Sequence, residues 1–217
     1  MALLNIHDRA LPEAVFARLW RRIRELGLER FRDSHWVSFW YDFGHPANVV
    51  DEAVLHLRDA FPAELPGRVR GVEWWLGRTD LRRVPIELHC DRDNHLFDDA
   101  GTLRHPLRSS VLYFNRVRGG CLLVTDQHPH RRTGEIVPQE PNDWALARPV
   151  PNRFVTFAGN RLHGVLDANN EVPNRPLRGP RGRLRYALVV NWWDRAPRRV
   201  APWDGTTYAR LRISPAA

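Results

Sequence analysis

An α+β fold dominated by β-structure is what the sequence predicts, and three observations predict it. Helical periodicity is confined to the first 70 residues. From Gly71 onward the chain passes through short segments rich in β-branched and aromatic residues, punctuated by Gly, Pro and Asn. With 217 residues, 43% of them hydrophobic, there is enough apolar material for one domain with its own core. Helices followed by a run of strands fit helices that buttress one sheet of a barrel-like core. The expected organisation is a single domain over residues 1–217, with 1–70 as helical support and 71–200 as the β core.

Each element has a local reason. In residues 11–31, Leu11, Val15, Leu19, Ile23 and Leu26 recur at helical spacing with charges between them, which predicts an amphipathic helix. A second helix is expected over residues 48–61, stopped by Pro62 and Pro66. Residues 71–76 read as a strand. From Ile86 to Asp91 apolar and polar residues alternate, again a strand signal. Residues 109–115 and 153–158 are apolar runs with aromatic and β-branched members, the second closed by Gly159-Asn160. The Gly119-Gly120 pair opens the apolar run 121–124 and reads as a tight turn between paired strands. Residues 185–193 form a last strand, while 93–106, 125–149 and 167–183 read as loops.

His89-Cys90-Asp91 and the later His163 are the residues with chemistry to offer. Side chains two apart on a strand share a face, so His89 and Asp91 point one way, with Glu87 behind them. Two imidazoles and one carboxylate are the donor set that holds iron(II) on one face and leaves other positions open. His-x-Asp alone is a short pattern in a chain with 10 histidines, so its weight comes from what surrounds it. On the last strand Arg185 shares a face with Ala187, Val189 and Asn191. A guanidinium on an otherwise apolar face is costly unless it meets an anion, and it grips a carboxylate through paired hydrogen bonds. Tyr113, on a face with Val111 and Asn115, has a hydroxyl able to add a bond to the same anion.

Taken in order, His89-Cys90-Asp91, Leu112-Tyr113-Phe114-Asn115, Gly119-Gly120, Phe157 through His163 and Arg185-Tyr186-Ala187-Leu188 resemble the iron(II)/2-oxoglutarate-dependent dioxygenases, most of all their prolyl-4-hydroxylase-like branch. The resemblance covers about half the chain, from Glu87 to Asp194. It implies a distorted double-stranded β-helix, a jelly-roll of two packed sheets. It implies His89, Asp91 and His163 as catalytic iron ligands, Arg185 as partner of the distal 2-oxoglutarate carboxylate with Tyr113 as helper, and Fe(II), 2-oxoglutarate and O2 as the reagents. An aspartate at position 91 implies hydroxylation or another oxidation, since halogenating relatives carry a small residue there. The stretch between His163 and Arg185 is longer than is usual in prolyl hydroxylases, and Arg183, on the same face, is the alternative to Arg185.

A second branch is also similar. His89-Cys90-Asp91-Arg92-Asp93 resembles the His-x-Asp-x-Asp of alkylation-repair demethylases, which act on nucleic-acid bases. Their following asparagine and second arginine are replaced here by Ala187 and Asn191, which ranks that reading second. The net charge of +8 is a reason to consider nucleic acid. Every one of the 33 basic residues is an arginine, however, and they are spread along the chain, as in a generally basic surface. The expected substrate is an amino acid, a peptidyl residue or a secondary metabolite. A jelly-roll binding module without catalysis is the remaining alternative. Residues 125–149 also hold His128 and His130, read as exposed polar residues. Most of the 9 tryptophans, Trp74, Trp192 and Trp20 among them, are expected in the core, with Trp36, Trp40 or Trp144 as candidate pocket walls. No segment is long and apolar enough to span a membrane, and two cysteines, taken as reduced, fit a cytoplasmic protein.

Overall fold

The structure, a computed structural model, describes residues 2–27, 37–83, 87–178 and 184–213. Strand β1 (Leu4–His7) is followed by helix α1 (Glu13–Glu25), strand β2 (Phe39–Tyr41) and helix α2 (Val49–Ala60). Then come β3 (Gly71–Asp80), helix α3 (Asn94–Ala100), β4 (Arg108–Tyr113), β5 (Leu122–Thr125), β6 (His128–Pro129), β7 (Ile136–Val137), β8 (Trp144–Ala147), β9 (Phe154–Ala158), β10 (His163–Val165) and β11 (Leu184–Trp193). A six-stranded sheet in the order β1-β9-β4-β11-β3-β2 faces a three-stranded sheet, β10-β5-β8. The pairings are antiparallel throughout, and β6 with β7 forms a separate small hairpin. This is the expected β-helix of two packed sheets.

The large sheet is covered on both faces, and that sets where the site can be. On one face α1 buries Phe16, Leu19 and Ile23, and α2 buries Val50, Ala53, Val54 and Leu57, against Trp74, Leu76, Leu112, Leu188 and Trp192. Buried Asn48 caps α2 by accepting from the Val50 and Asp51 amides at 2.9 and 3.0 Å. The other face points between the sheets. There Val111, Tyr113, Val155, Phe157 and Ala187 meet Leu122, Val124 and Ala147 of the small sheet.

Several local expectations need correction. The supporting segment is not purely helical, because β1 and β2 extend the large sheet at its two edges. The first helix begins at Glu13, later than expected, and residues 28–31 of that expectation lie outside the described residues. Gly119-Gly120 does not join paired strands. β4 belongs to the large sheet and β5 to the small one, so the glycines carry the chain between sheets. Their φ values of 80° and 68° are left-handed, and a Cβ on Gly119 would stand 2.4 Å from the Ala168 carbonyl oxygen. Residues 93–106 hold α3, capped by the Asp93 side chain accepting from the Leu96 amide. Residues 125–149 hold β6, β7 and β8. Among the described residues no helix is long and apolar enough to cross a membrane.

Candidate metal centre

The ligand segment before Asp91 is not a full strand. It makes one isolated antiparallel bridge, His89 to His163, and residues 84–86 lie outside the described residues. That bridge does more for the site than a strand would. The His89 amide donates to the His163 carbonyl at 2.9 Å, and the His163 amide donates back at 2.8 Å. Directly opposed residues of an antiparallel pair send their side chains to the same side. The two imidazole centroids are accordingly 4.5 Å apart. Gly164 makes room for this approach, since a Cβ there would lie 2.7 Å from Leu88 Cδ2.

Asp91 closes the group. Its Oδ1 is 3.8 Å from His89 Nε2 and its Oδ2 is 3.5 Å from His163 Nε2. One ligand atom from each residue falls within 4.8 Å of the others, close enough for all three to bind one metal ion. The outer hydrogen bonds fix each direction. His89 Nδ1 and His163 Nδ1 each lie 2.9 Å from a backbone carbonyl, of Glu87 and Arg161. A carbonyl only accepts, so Nδ1 carries the hydrogen and the Nε2 lone pair is left to face inward. Ser109 Oγ donates to Asp91 Oδ2 at 2.6 Å, and His105 Nδ1 donates to the Asp91 carbonyl at 2.6 Å. Burial holds the His163 pKa below its ordinary value, against the pull of the Asp91 charge, which keeps the imidazole neutral and able to ligate. The thiol between the ligands does not compete. Burial, with the Asp91 charge adding to it, pushes Cys90 up to about 12.

The third acid of the sequence pattern has another task. Asp93 is buried, accepts from Arg104 at 2.5 Å and from the Arg198 amide at 3.0 Å, and caps α3. His128 and His130 join no such metal-ligating group among the described residues.

Tyr113 and Arg185 lie against each other between the two sheets. Ala187 is the register partner of Tyr113, and the Arg185 guanidinium carbon lies 4.9 Å from the Tyr113 ring centroid. Both are buried; the guanidinium sits close enough to act on the Tyr113 oxygen as a donor, yet neither the Tyr113 hydroxyl nor Arg185 Nε–H has an acceptor. Two unmet donors buried side by side call for an acceptor, and an anion meets both. Burial pushes the Tyr113 phenol up despite the neighbouring Arg185 charge, so it stays a hydroxyl donor. Neither residue reaches the open cavity beside the triad. Arg183 lies outside the described residues.

His89 and Asp91 line a cavity of about 730 Å³. Its wall includes three residues not expected at the site: Glu73, Trp75 and Asn191. The expected tryptophan walls are placed otherwise. Trp144 is 60% exposed on β8, Trp40 packs beneath Gly71, and Trp36 lies outside the described residues. Burial, opposed by a hydrogen bond from Ser38 and reinforced by the Asp91 charge, pushes the Glu73 carboxyl from 4.5 up to about 7. A carboxyl whose pKa rises on folding adds stability below its unfolded value and loses it as pH climbs through the folded one. The Glu73 share is therefore lost between 4.5 and about 7, and buried Asp51, raised to about 6, acts in the same direction. Urea unfolding of chelator-treated protein at about pH 5 and about pH 8 should show the loss, with Glu73→Gln removing up to about 3 kcal/mol of the difference. An unchanged difference in Glu73→Gln would place this carboxyl in water.

Compared with solved structures, the chain is similar to a prolyl-4-hydroxylase from Pseudomonas putida, at 21% identity and a TM-score of 0.55, over 89% of this chain and 94% of that one. It is similar also to SnoK, a non-haem α-ketoglutarate-dependent carbocyclase from nogalamycin biosynthesis, at 14% identity and a TM-score of 0.53, over 96% of this chain and 86% of that one. No protein-family model and no curated protein matches the chain. The double-stranded β-helix fold of the 2-oxoglutarate/iron oxygenases is what this protein has in common with them.

Proposed function

We propose that the protein is an iron(II)/2-oxoglutarate-dependent oxygenase that hydroxylates a C–H bond of an amino acid, a peptidyl residue or a secondary metabolite. The observation that carries this reading is the placement of His89, Asp91 and His163 within one metal's reach, on a fold shared with such oxygenases. The donor set suits iron(II), with two neutral nitrogens and one carboxylate oxygen. The unmet donors of Tyr113 and Arg185 suit the far carboxylate of 2-oxoglutarate. Iron(II) and 2-oxoglutarate would supply the oxidation of substrate by O2, with succinate and CO2 formed alongside the hydroxylated product.

The chain's own residues have distinct parts in this reading. His89 and His163, opposed across one backbone bridge, present Nε2 to the metal, and Asp91 supplies the compensating charge. Ser109 and His105 hold Asp91 from its side chain and its backbone. Phe157, with its ring centroid 4.7 Å from that of His163, walls the inner side of the site from water. Substrate enters from the cavity on the side of His89, the ligand whose side chain is 43% exposed. With both cysteines free, a reducing compartment such as the cytoplasm suits the protein.

Anaerobic addition of iron(II) and then 2-oxoglutarate tests the proposal. A weak visible charge-transfer band should form, and succinate should accumulate once O2 and a substrate mixture are admitted. Absence of the band in correctly folded protein would leave a binding module with a coincidental triad.

A further inference from the structure

Glu73 and Asn191 stand opposite one another in register on β3 and β11, both on the wall of the cavity that holds His89 and Asp91. Side by side on one face, they present acceptors toward the same space. Asn191 is 2% exposed and its Oδ1 has no hydrogen-bond partner. Glu73 accepts from Ser38 Oγ at 2.7 Å and has the Trp193 indole N–H as a second neutral donor, and among the described residues no cation forms an ion pair with it. An unpaired buried acceptor next to a carboxylate is unfavourable unless something entering the cavity donates to both.

The two arginines on the cavity wall have other partners. Arg92 bonds to Asn94 at 3.1 Å and lies 4.0 Å over the Phe97 ring. Arg198 reaches Asp99 at 3.3 Å. Neither neutralises Glu73 from within the protein. Trp75, on the same face of β3 and on the same wall, offers a flat aromatic surface, which also favours a cation. The ionised form of Glu73 is already disfavoured by burial, and an incoming positive charge would restore it.

We propose that Glu73 and Asn191 are specificity-determining residues that take a protonated amine or guanidinium of the substrate, so the substrate class is cationic. This rests on the oxygenase reading only for the word substrate; the acceptor pair itself needs no metal.

Metal-free full-length protein should be titrated with benzylamine, agmatine and benzyl alcohol, with binding followed by ligand-observed NMR. Benzylamine or agmatine should bind at least about tenfold more tightly than benzyl alcohol, the uncharged match for benzylamine. Glu73→Gln should erase that preference, and Asn191→Leu should weaken the cations severalfold. Benzyl alcohol binding as tightly as benzylamine in the wild type would overturn the proposal without recourse to any variant. So would failure of both cations to bind, or an unchanged preference in Glu73→Gln that still gives the charge-transfer band. The band titration separates the two readings. A band without cation binding ends this inference alone, and cation binding without a band ends the oxygenase reading alone.

Discussion

Asp91→Ala is expected to abolish turnover and the charge-transfer band together, with iron(II) affinity falling beyond what equilibrium dialysis detects at micromolar metal. The reason is charge. Asp91 is the one anionic member of the triad, and its two oxygens face the two Nε2 atoms at 3.8 and 3.5 Å. Without it a divalent ion would meet two neutral imidazoles, one of them buried beside the Phe157 ring and held neutral by that burial. Asp91→Asn keeps the shape and loses the charge, so it should fail nearly as badly. Ser109→Ala gives the comparison that makes the result specific. It removes the 2.6 Å bond to Oδ2 and leaves all three ligands, and it should weaken iron(II) by roughly 10- to 100-fold while leaving a band at saturating metal. If Asp91→Ala retained wild-type affinity, the metal would not sit at this triad.

How far such a site can be read in a sequence depends on what each residue needs from its neighbours. His89 and Asp91 were legible because a period of two puts them on one face. Arg185 was legible because a charge on an apolar strand demands a partner. The bridge that opposes His89 to His163 was not, since it joins residues far apart in sequence and makes a single pair, with no ladder to leave a pattern. Glu73 and Asn191 escaped for another reason. β3 and β11 are buried on both faces, Trp74 and Trp192 against the helices and Trp75 toward the cavity, so the alternation that marks a half-exposed strand is missing. Glu73 carries the same signal as Arg185, a lone charge within an aromatic run.

The overall class was legible from patterning, while the edges of the large sheet were not. β1 is four residues long and owes its place to β9, where Leu4 to His7 pair with Phe157 to Phe154. Strand propensity in so short a segment depends on those distant partners. α3 has its signals in plain view, Asp93 as cap and Gly101 at φ 62°, but they bracket seven residues, too few for a helical stripe to show.

Arg185→Ala should leave iron(II) binding intact and raise the 2-oxoglutarate concentration needed for half-maximal band and turnover by roughly 100-fold or more. A buried charge pair that loses one partner costs about 3–5 kcal/mol, and each factor of ten in affinity is about 1.4 kcal/mol. Tyr113→Phe removes only a neutral donor and should cost roughly tenfold. The two effects should be less than additive, because the guanidinium lies 4.9 Å from the Tyr113 ring centroid and both donors lack partners. Arg183→Ala is the decisive control: if it, and not Arg185→Ala, raises the requirement, the anion site lies one pleat earlier. A second consequence follows from the buried, unmet Nε. Arg185→Leu should raise the thermal midpoint of the protein free of metal and 2-oxoglutarate, since a buried guanidinium with no ion-pair partner among the described residues leaves the interior. In wild type 2-oxoglutarate should raise that midpoint, and in Arg185→Leu it should not, which ties the cost of burying the guanidinium to the ligand that relieves it.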